Sequence, residues 1–289
     1  TLVEKNRGIR DPPIYFMKNK LQQLIPWMHP YKIGFYPPML FDKPRNTFYW
    51  KLLKQCKDKV CVDVGFGTGI LTLMALHHGA KHVYAYEEDP TTFLLGQYIV
   101  EKLGFSDKVT FVNEKYKSQN HRHLDIDLIF HEIFGRNIWR EDCRDTFKGV
   151  TTKVVPSVMS CNIRLFEGKI ETDRKPDLKV SSTGLKWLDE TYVEVLKDLW
   201  NEIDTITYDG IPYHAGKIIG SWEIDINSWI PKVIKVDVDA DIGIVFTDYF
   251  IDGFLLTSAD SWPCDKSIRI NKKFKRFCQN TKDGNWWLE

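Results

Sequence analysis

The first half of the chain alternates short apolar runs with helical patterns at close intervals, from about residue 47 to residue 132. Runs typical of buried strands occupy residues 59–65, 82–87, 109–112 and 127–132. Continuous apolar strands separated by helices are typical of a parallel βαβ sheet. The pattern therefore predicts a doubly wound, Rossmann-like α/β domain.

Residues with known capping preferences mark the helix ends in this region. An apolar helix is predicted from Ile70 to His78, with Gly79 directly after it as the residue that ends it. The next helix is predicted to begin with Asp89 as its N-cap and Pro90 as its first residue. Each helix lies between two predicted strands, so the caps agree with the βαβ interpretation.

The pattern changes beyond Pro156, where short runs alternate apolar and polar residues. Period-two alternation is typical of antiparallel strands with one buried face. It predicts a mainly antiparallel sheet or β-barrel. The predicted domains are an N-terminal helical segment over residues 1–46, a Rossmann-like cofactor-binding domain over 47–155, and a barrel over 156–289 with a helical insertion near 185–203.

Composition is that of an ordinary globular protein. Hydrophobic residues make up 43% and charged residues 27%, which excludes a disordered or fibrous chain. A net charge of +1 gives no field that would indicate nucleic acid or a membrane as partner. No apolar run is long enough to span a bilayer. The cysteines lack the spacing of disulfide or zinc motifs, which favours reduced thiols and a cytoplasmic or nuclear protein.

A glycine-rich turn follows the first predicted strand. Gly65, Gly67 and Gly69 stand where a ligand can approach the backbone and face the N-terminus of a helix. Glu87 ends the second strand, 24 residues after Asp63, where a carboxylate can accept hydrogen bonds from a ribose diol. The spacing G-x-G-x-G differs from the dinucleotide fingerprint and favours S-adenosylmethionine over NAD.

Two carboxylates, Glu132 and Glu141, lie on the loop that follows the fourth predicted strand. Because the carboxyl ends of parallel strands share one edge, Glu132 is expected to face the same crevice as the glycine turn. A pair of carboxylates suits a guanidinium, which is planar, always charged and rich in donors. A solvated loop is the alternative for Glu141, and His131 either orients Glu132 or packs at the strand end. No metal site is predicted, because the histidines lack ligand spacing.

The chain resembles the protein arginine methyltransferases, a class I S-adenosylmethionine-dependent family, from about Trp27 to Trp262. Residues 62–71 are similar to the family's first motif, residues 84–87 to its ribose-binding strand end, and residues 132–141 to its double-glutamate loop. The resemblance is nearest to the branch that contains the monomethylating, type III enzymes. It implies methyl transfer from S-adenosylmethionine to a guanidino nitrogen of arginine in a protein.

The resemblance also implies roles for individual residues. Glu132 and Glu141 would clamp the substrate guanidinium, and Trp262 would belong to the acceptor site. Arg45 would bind the cofactor carboxylate, and Met39 would pack near the cofactor sulfur. The implied cofactor contacts are Tyr36, Met39, Arg45, Asp63, Gly65, Phe66, Gly67, Thr68, Gly69, Glu87, Glu88, Lys115, Tyr116, Glu132 and Cys143.

Departures from the family pattern leave alternatives open. Ser261 stands where the family carries a histidine that braces the acceptor site, Lys117 and Ser118 where a carboxylate usually meets the adenine, and Cys143 near a methionine position. The alternatives are a weak or inactive homologue that scaffolds a methyltransferase partner, and a methyltransferase with a non-arginine acceptor.

Partners are also implied by the resemblance. They are an arginine-containing protein or peptide substrate and a second subunit, in a homodimer or in a heteromer with a related chain. The helical insertion would be a dimerisation arm or a decoration of the barrel.

Overall fold

The computed structural model describes residues 43–121, 124–133, 143–166, 183–191, 217–225, 232–240, 243–251, 254–257, 268–270, 273–282 and 285–289. The predicted site residues Tyr36, Met39, Glu141 and Trp262, together with Ser261, lie outside these ranges.

Five parallel strands form the first sheet, in the order β3-β2-β1-β4-β5. They are β1 (Val60–Val64), β2 (His82–Tyr86), β3 (Val109–Val112), β4 (Leu128–His131) and β5 (Val154–Val155). The helices around them are α1 (Lys43–Leu52), α2 (Ile70–His77), α3 (Pro90–Lys102) and α4 (Cys143–Thr146). Short 3-10 helices cover Leu53–Cys56, Ser106–Lys108 and Ser118–His121. The predicted Rossmann-like α/β fold is confirmed here.

β1 lies at the centre of this sheet and is buried from Cys61 to Val64. A strand covered on both faces usually consists of consecutive apolar residues. The buried carboxyl group of Asp63 within β1 is therefore an exception. The helix that follows, α2, is buried from Ile70 to Leu76. Its burial explains why its sequence carries no polar stripe.

The predicted caps are confirmed. The Asp89 side chain accepts a hydrogen bond from the Thr92 backbone N–H at 2.9 Å, and Pro90 is the first residue of α3. Gly79 follows α2 with φ of 91°, in the left-handed region where glycine commonly ends a helix.

The predicted antiparallel region is confirmed in its strand pairs. One sheet contains β6 (Val158–Phe166), β7 (Lys217–Asp225), β9 (Gly243–Ile251), β10 (Phe254–Thr257) and β11 (Ile268–Ile270). A second contains β8 (Val233–Ala240), β12 (Phe274–Asn280) and β13 (Trp286–Leu288). Closure of these sheets into a barrel stays a prediction. Within the described ranges, the structure has no helix that is both long and apolar enough to cross a bilayer.

The helical insertion begins close to its predicted start. Residues 186–191 are helical, and the remainder of the predicted insertion lies outside the described residues. Leu188 is fully buried. The Trp187 ring centroid lies 4.3 Å from that of His77 and 6.1 Å from that of Trp50. The start of the insertion therefore packs on the α/β region of its own chain.

The predicted domain limits stay a prediction. The limit placed between residues 46 and 47 falls inside α1, which runs unbroken from Lys43 to Leu52.

Candidate functional site

Three predicted site residues meet at one edge of the parallel sheet. The last residue of β1 pairs in register with the last residue of β2 and with the last residue of β4. Gly65, Glu87 and Glu132 follow these strands directly and therefore lie at the same level on three neighbouring strands. Because β2 and β4 flank β1 on opposite sides, the strand order reverses here, and open α/β sheets bind ligands at such a point.

The glycine turn is held in place by backbone contacts. The Gly65 N–H donates to the Tyr86 carbonyl at 2.9 Å, and the Gly69 N–H donates to the Phe66 carbonyl at 2.8 Å. Gly69 has φ of 82°, and a Cβ there would approach the Val100 side chain to 2.8 Å. Only glycine fits this position without strain or displacement. The turn is therefore a fixed backbone surface at the start of α2.

The turn packs on α3 through Phe66 and Gly96. The Phe66 ring is buried, with its centroid 6.0 Å from that of Phe93 and 5.9 Å from that of Phe111, so this side chain packs inside the domain. A Cβ on Gly96 would stand 2.2 Å from the Gly67 carbonyl oxygen. Gly96 was not predicted as a site residue. Its only signal in the sequence is a glycine inside a helical pattern, which often marks a packing contact.

Glu87 bonds to the backbone of the turn and of the next helix. Its Oε2 accepts from the Gly67 N–H at 3.1 Å, and its Oε1 accepts from the Asp89 N–H at 3.0 Å. Burial raises the pKa of this carboxyl above its ordinary range, although the two backbone bonds oppose the shift. The carboxylate is thus oriented at the end of β2.

The other predicted cofactor contacts divide by exposure. Thr68, Tyr116 and Cys143 are buried, whereas Glu88 and Lys115 are exposed. Burial raises the pKa of Tyr116 to about 12.

Helix α1 brings Arg45 to Glu132. The Arg45 Nε donates to Glu132 Oε1 at 2.6 Å, and its Nη2 donates to Glu132 Oε2, so the pair is bidentate. The Arg45 side chain is 5% exposed and that of Glu132 is 22% exposed. The Arg45 guanidinium carbon also lies 5.5 Å from the centroid of the Tyr49 ring. The residue predicted to bind the cofactor carboxylate therefore pairs with the residue predicted to bind the substrate guanidinium.

Asn46 connects this pair to the start of the helical insertion. Arg45 Nη1 donates to Asn46 Oδ1 at 3.2 Å, and Asn46 Nδ2 donates to the Thr183 carbonyl at 2.9 Å. The Thr183 N–H and hydroxyl both donate to Asp189 Oδ1, at 2.6 and 2.7 Å. No local sequence pattern marks Asn46 or Thr183, because their contact joins positions 137 residues apart.

Asp63 lies fully buried beneath the turn. Its Oδ2 accepts from the Thr72 hydroxyl at 2.6 Å, and its Oδ1 has no hydrogen-bond partner in the part of the chain that the structure describes. Burial raises the pKa of Asp63 to about 7, although the Thr72 hydrogen bond and the charge of Arg45 oppose the shift. An unpartnered carboxyl oxygen in this position can bond to a ligand group.

Asp63→Asn is expected to change how stability depends on pH. The pKa of Asp63 is about 7 in the folded chain against an ordinary 3.8, so folding takes up a proton between these values. Its contribution to the free energy of unfolding is therefore complete below about pH 4 and is lost as the pH rises through about 7. As the pH rises from about 5 to about 8, the difference in unfolding free energy between wild type and Asp63→Asn should shift in favour of the variant by about 3 kcal/mol.

Urea unfolding of both proteins from about pH 5 to pH 8 measures this difference. Asp107→Asn, at an exposed aspartate of the same region, is the control. A difference between wild type and Asp63→Asn that stays constant over this range would show that the Asp63 carboxyl titrates alike in the folded and unfolded chains.

Residues 49–141 match the family described as ribosomal protein L11 methyltransferase (PrmA). Protein arginine N-methyltransferase 1 of Saccharomyces cerevisiae is 35% identical to this chain over 117 residues, which cover 39% of this chain and 33% of the yeast protein. The chain spans about a third of the length of the curated relatives that are named protein arginine N-methyltransferase 1.

Solved structures of similar fold cover most of the chain. The crystal structure of PRMT6-SAH covers 87% of this chain and 98% of its own, with a TM-score of 0.53 and 17% identity. The Trypanosoma brucei PRMT1 enzyme-prozyme heterotetrameric complex with AdoHcy covers 86% of this chain and 88% of its own, with a TM-score of 0.50 and 19% identity. At sequence identities of 17% and 19%, this similarity shows a shared fold and nothing more specific.

Proposed function

We propose that the chain methylates a guanidino nitrogen of arginine in a protein substrate. Through its parallel-sheet region it belongs to the protein arginine N-methyltransferase family of class I S-adenosylmethionine-dependent enzymes. One observation carries the proposal. Glu132 holds a guanidinium in fork geometry, that of Arg45, at the switch point of the sheet. A carboxylate that binds one guanidinium in this way has the geometry to bind another.

The cofactor of the family is S-adenosylmethionine, and the residues present fit it in three respects. Glu87 presents a carboxylate for the ribose hydroxyls beside the glycine turn. Arg45 is a buried cation suited to an amino-acid carboxylate. Asp63 offers an unpartnered carboxyl oxygen beneath the turn. The bound cofactor would supply the methyl group as an electrophilic carbon on a sulfonium.

The Arg45–Glu132 pair implies an order of binding for the cofactor and the substrate arginine. A substrate arginine can take the same bidentate position on Glu132 only after the guanidinium of Arg45 has left it. Arg45 is buried and charged, and a carboxylate of the cofactor would give it a new ionic contact when it leaves Glu132. Glu132 would then bind the substrate arginine.

Glu132 and Glu141 are the two carboxylates that we assign to the substrate. Together they would hold the guanidinium plane and aim the lone pair of one nitrogen at the methyl carbon. Fixing the nucleophile in line with the transferred group supplies much of the rate enhancement in such displacements. We assign Trp262 to the same acceptor site.

Further parts of the proposal concern architecture and assembly. We propose that the antiparallel sheets close into a barrel beside the acceptor groove. We also propose that the chain associates with a second copy or a related subunit, which the heterotetrameric Trypanosoma brucei neighbour supports. A cytoplasmic or nuclear location and the monomethylating branch remain proposals.

Transfer of labelled methyl from S-adenosylmethionine to arginine-rich peptides tests the proposed function. Matched peptides with lysine in place of arginine are the control, and analysis of the labelled amino acid identifies the product. Label on arginine, absent from the lysine set, is the expected result. Label on another acceptor contradicts arginine as the substrate. Cofactor binding without transfer to any peptide would favour the scaffold alternative.

A further inference from the structure

The imidazole of His131 bonds on both sides of the ring. His131 is the last residue of β4 and is fully buried, with its ring centroid 4.5 Å from that of Phe147. Its Nε2 lies 3.0 Å from the carbonyl oxygen of Pro156, which can only accept, so Nε2 carries the proton and donates. The Nδ1 of a neutral ring is then an acceptor, and the Ile133 backbone N–H donates to it at 3.4 Å.

The ring keeps this arrangement at physiological pH. Burial lowers the pKa of His131 to about 3, so the ring is neutral and one nitrogen remains an acceptor. A protonated ring would carry a donor at Nδ1 and would lose the bond from the Ile133 N–H.

These contacts fix the backbone on both sides of Glu132. On one side, the Tyr49 hydroxyl of α1 donates to the His131 carbonyl at 3.0 Å. On the other, the Ile133 N–H is held by the His131 ring. The same ring reaches Pro156, two residues before β6 begins. Glu132 is thus the one residue between two tethered neighbours, and the tether extends to the first strand of the antiparallel region.

We propose that His131 is a positioning residue for Glu132. Its ring sets the orientation of the Glu132 carboxylate and ties this residue to the start of the antiparallel strands. The inference rests on the proposed function in so far as Glu132 binds the substrate arginine. The δ side of the ring, which holds Ile133, is the side that orients Glu132. The ε side, which bonds to Pro156, anchors the ring itself.

Two substitutions separate the two sides of the ring. His131→Asn keeps an oxygen near the Nδ1 position that can accept from the Ile133 N–H, but it does not reach Pro156. His131→Gln keeps an amide donor near the Nε2 position but has no acceptor at the δ position. His131→Phe fills the space with neither bond. His82→Asn, at a half-buried histidine of β2, is the matched control.

The expected result is a split between turnover and cofactor binding. With an arginine peptide, kcat should fall about tenfold in His131→Gln and His131→Phe and by less than about threefold in His131→Asn. The dissociation constant of S-adenosylhomocysteine, measured by calorimetry, should change by less than about threefold in all three variants. Equal losses of kcat in the Asn and Gln variants, or losses that follow only their melting temperatures, would overturn the proposal.

A measurement that does not need methylation separates this inference from the proposed function. Amide hydrogen exchange at Ile133 should be about tenfold faster in the Gln and Phe variants than in wild type, and close to wild type in the Asn variant. An inactive wild type would refute the proposed function while this pattern still supported the positioning role. Unchanged exchange at Ile133 in the Phe variant would overturn the positioning role even in an active enzyme.

Discussion

Glu132→Gln is expected to lower the turnover number for methyl transfer to an arginine peptide by about 100-fold. The amide removes the negative charge that the substrate guanidinium needs, and it replaces one of two acceptor oxygens with a donor. Steady-state kinetics with a labelled methyl donor measure the effect. The exposed Glu114 provides the control Glu114→Gln, which should retain wild-type turnover.

Glu132→Gln should also keep or increase the affinity for the cofactor product while it lowers the stability of the protein without ligand. In wild type the cofactor must displace Glu132 from Arg45, so Glu132→Gln should bind S-adenosylhomocysteine as tightly as wild type or more tightly. Without ligand, the buried Arg45 loses its ionic contact with Glu132, and the free energy of unfolding should fall by about 3 kcal/mol. Turnover equal to that of Glu114→Gln would remove Glu132 from the catalytic assignment.

The sequence predicted the parallel sheet well because its signals are local. The inner strands β1 and β4 are buried over Cys61–Val64 and Leu128–His131 and therefore appear as largely apolar runs. Asp89 and Pro90 begin a helix through contacts within a few residues. The convergence of Gly65, Glu87 and Glu132 was also predictable, since the carboxyl ends of parallel strands share an edge.

The contacts that organise the site were not predictable, because they join distant positions. The Arg45–Glu132 pair spans 87 residues, and neither side chain indicates from the sequence that the other is its partner. The sequence left His131 as either an orienting or a packing residue, and only the positions of Pro156 and Ile133 around its ring favour the former. Alternation predicted an antiparallel sheet or barrel without deciding between them, because it indicates which face is buried but not which edges pair.

Gly96→Ala is expected to destabilise the protein and to weaken cofactor binding. Alanine inside a helix is normally favoured over glycine by about 1 kcal/mol. Here the new Cβ would stand 2.2 Å from the Gly67 carbonyl oxygen and 2.3 Å from the Phe66 ring, and a backbone carbonyl cannot turn aside as a flexible side chain can. Either α3 or the glycine turn must move. The net loss in unfolding free energy should be about 2 kcal/mol.

Displacement of the turn adds a second effect, which distinguishes this site from ordinary overpacking. Gly67 donates its N–H to Glu87, so a shift of the turn also disturbs the carboxylate assigned to the ribose. The affinity for S-adenosylhomocysteine should fall at least about tenfold in calorimetry. Gln97→Ala, one residue along α3, should change stability by less than about 0.5 kcal/mol and leave the affinity unchanged. If Gly96→Ala matched that control in both measurements, α3 would not pack against the glycine turn.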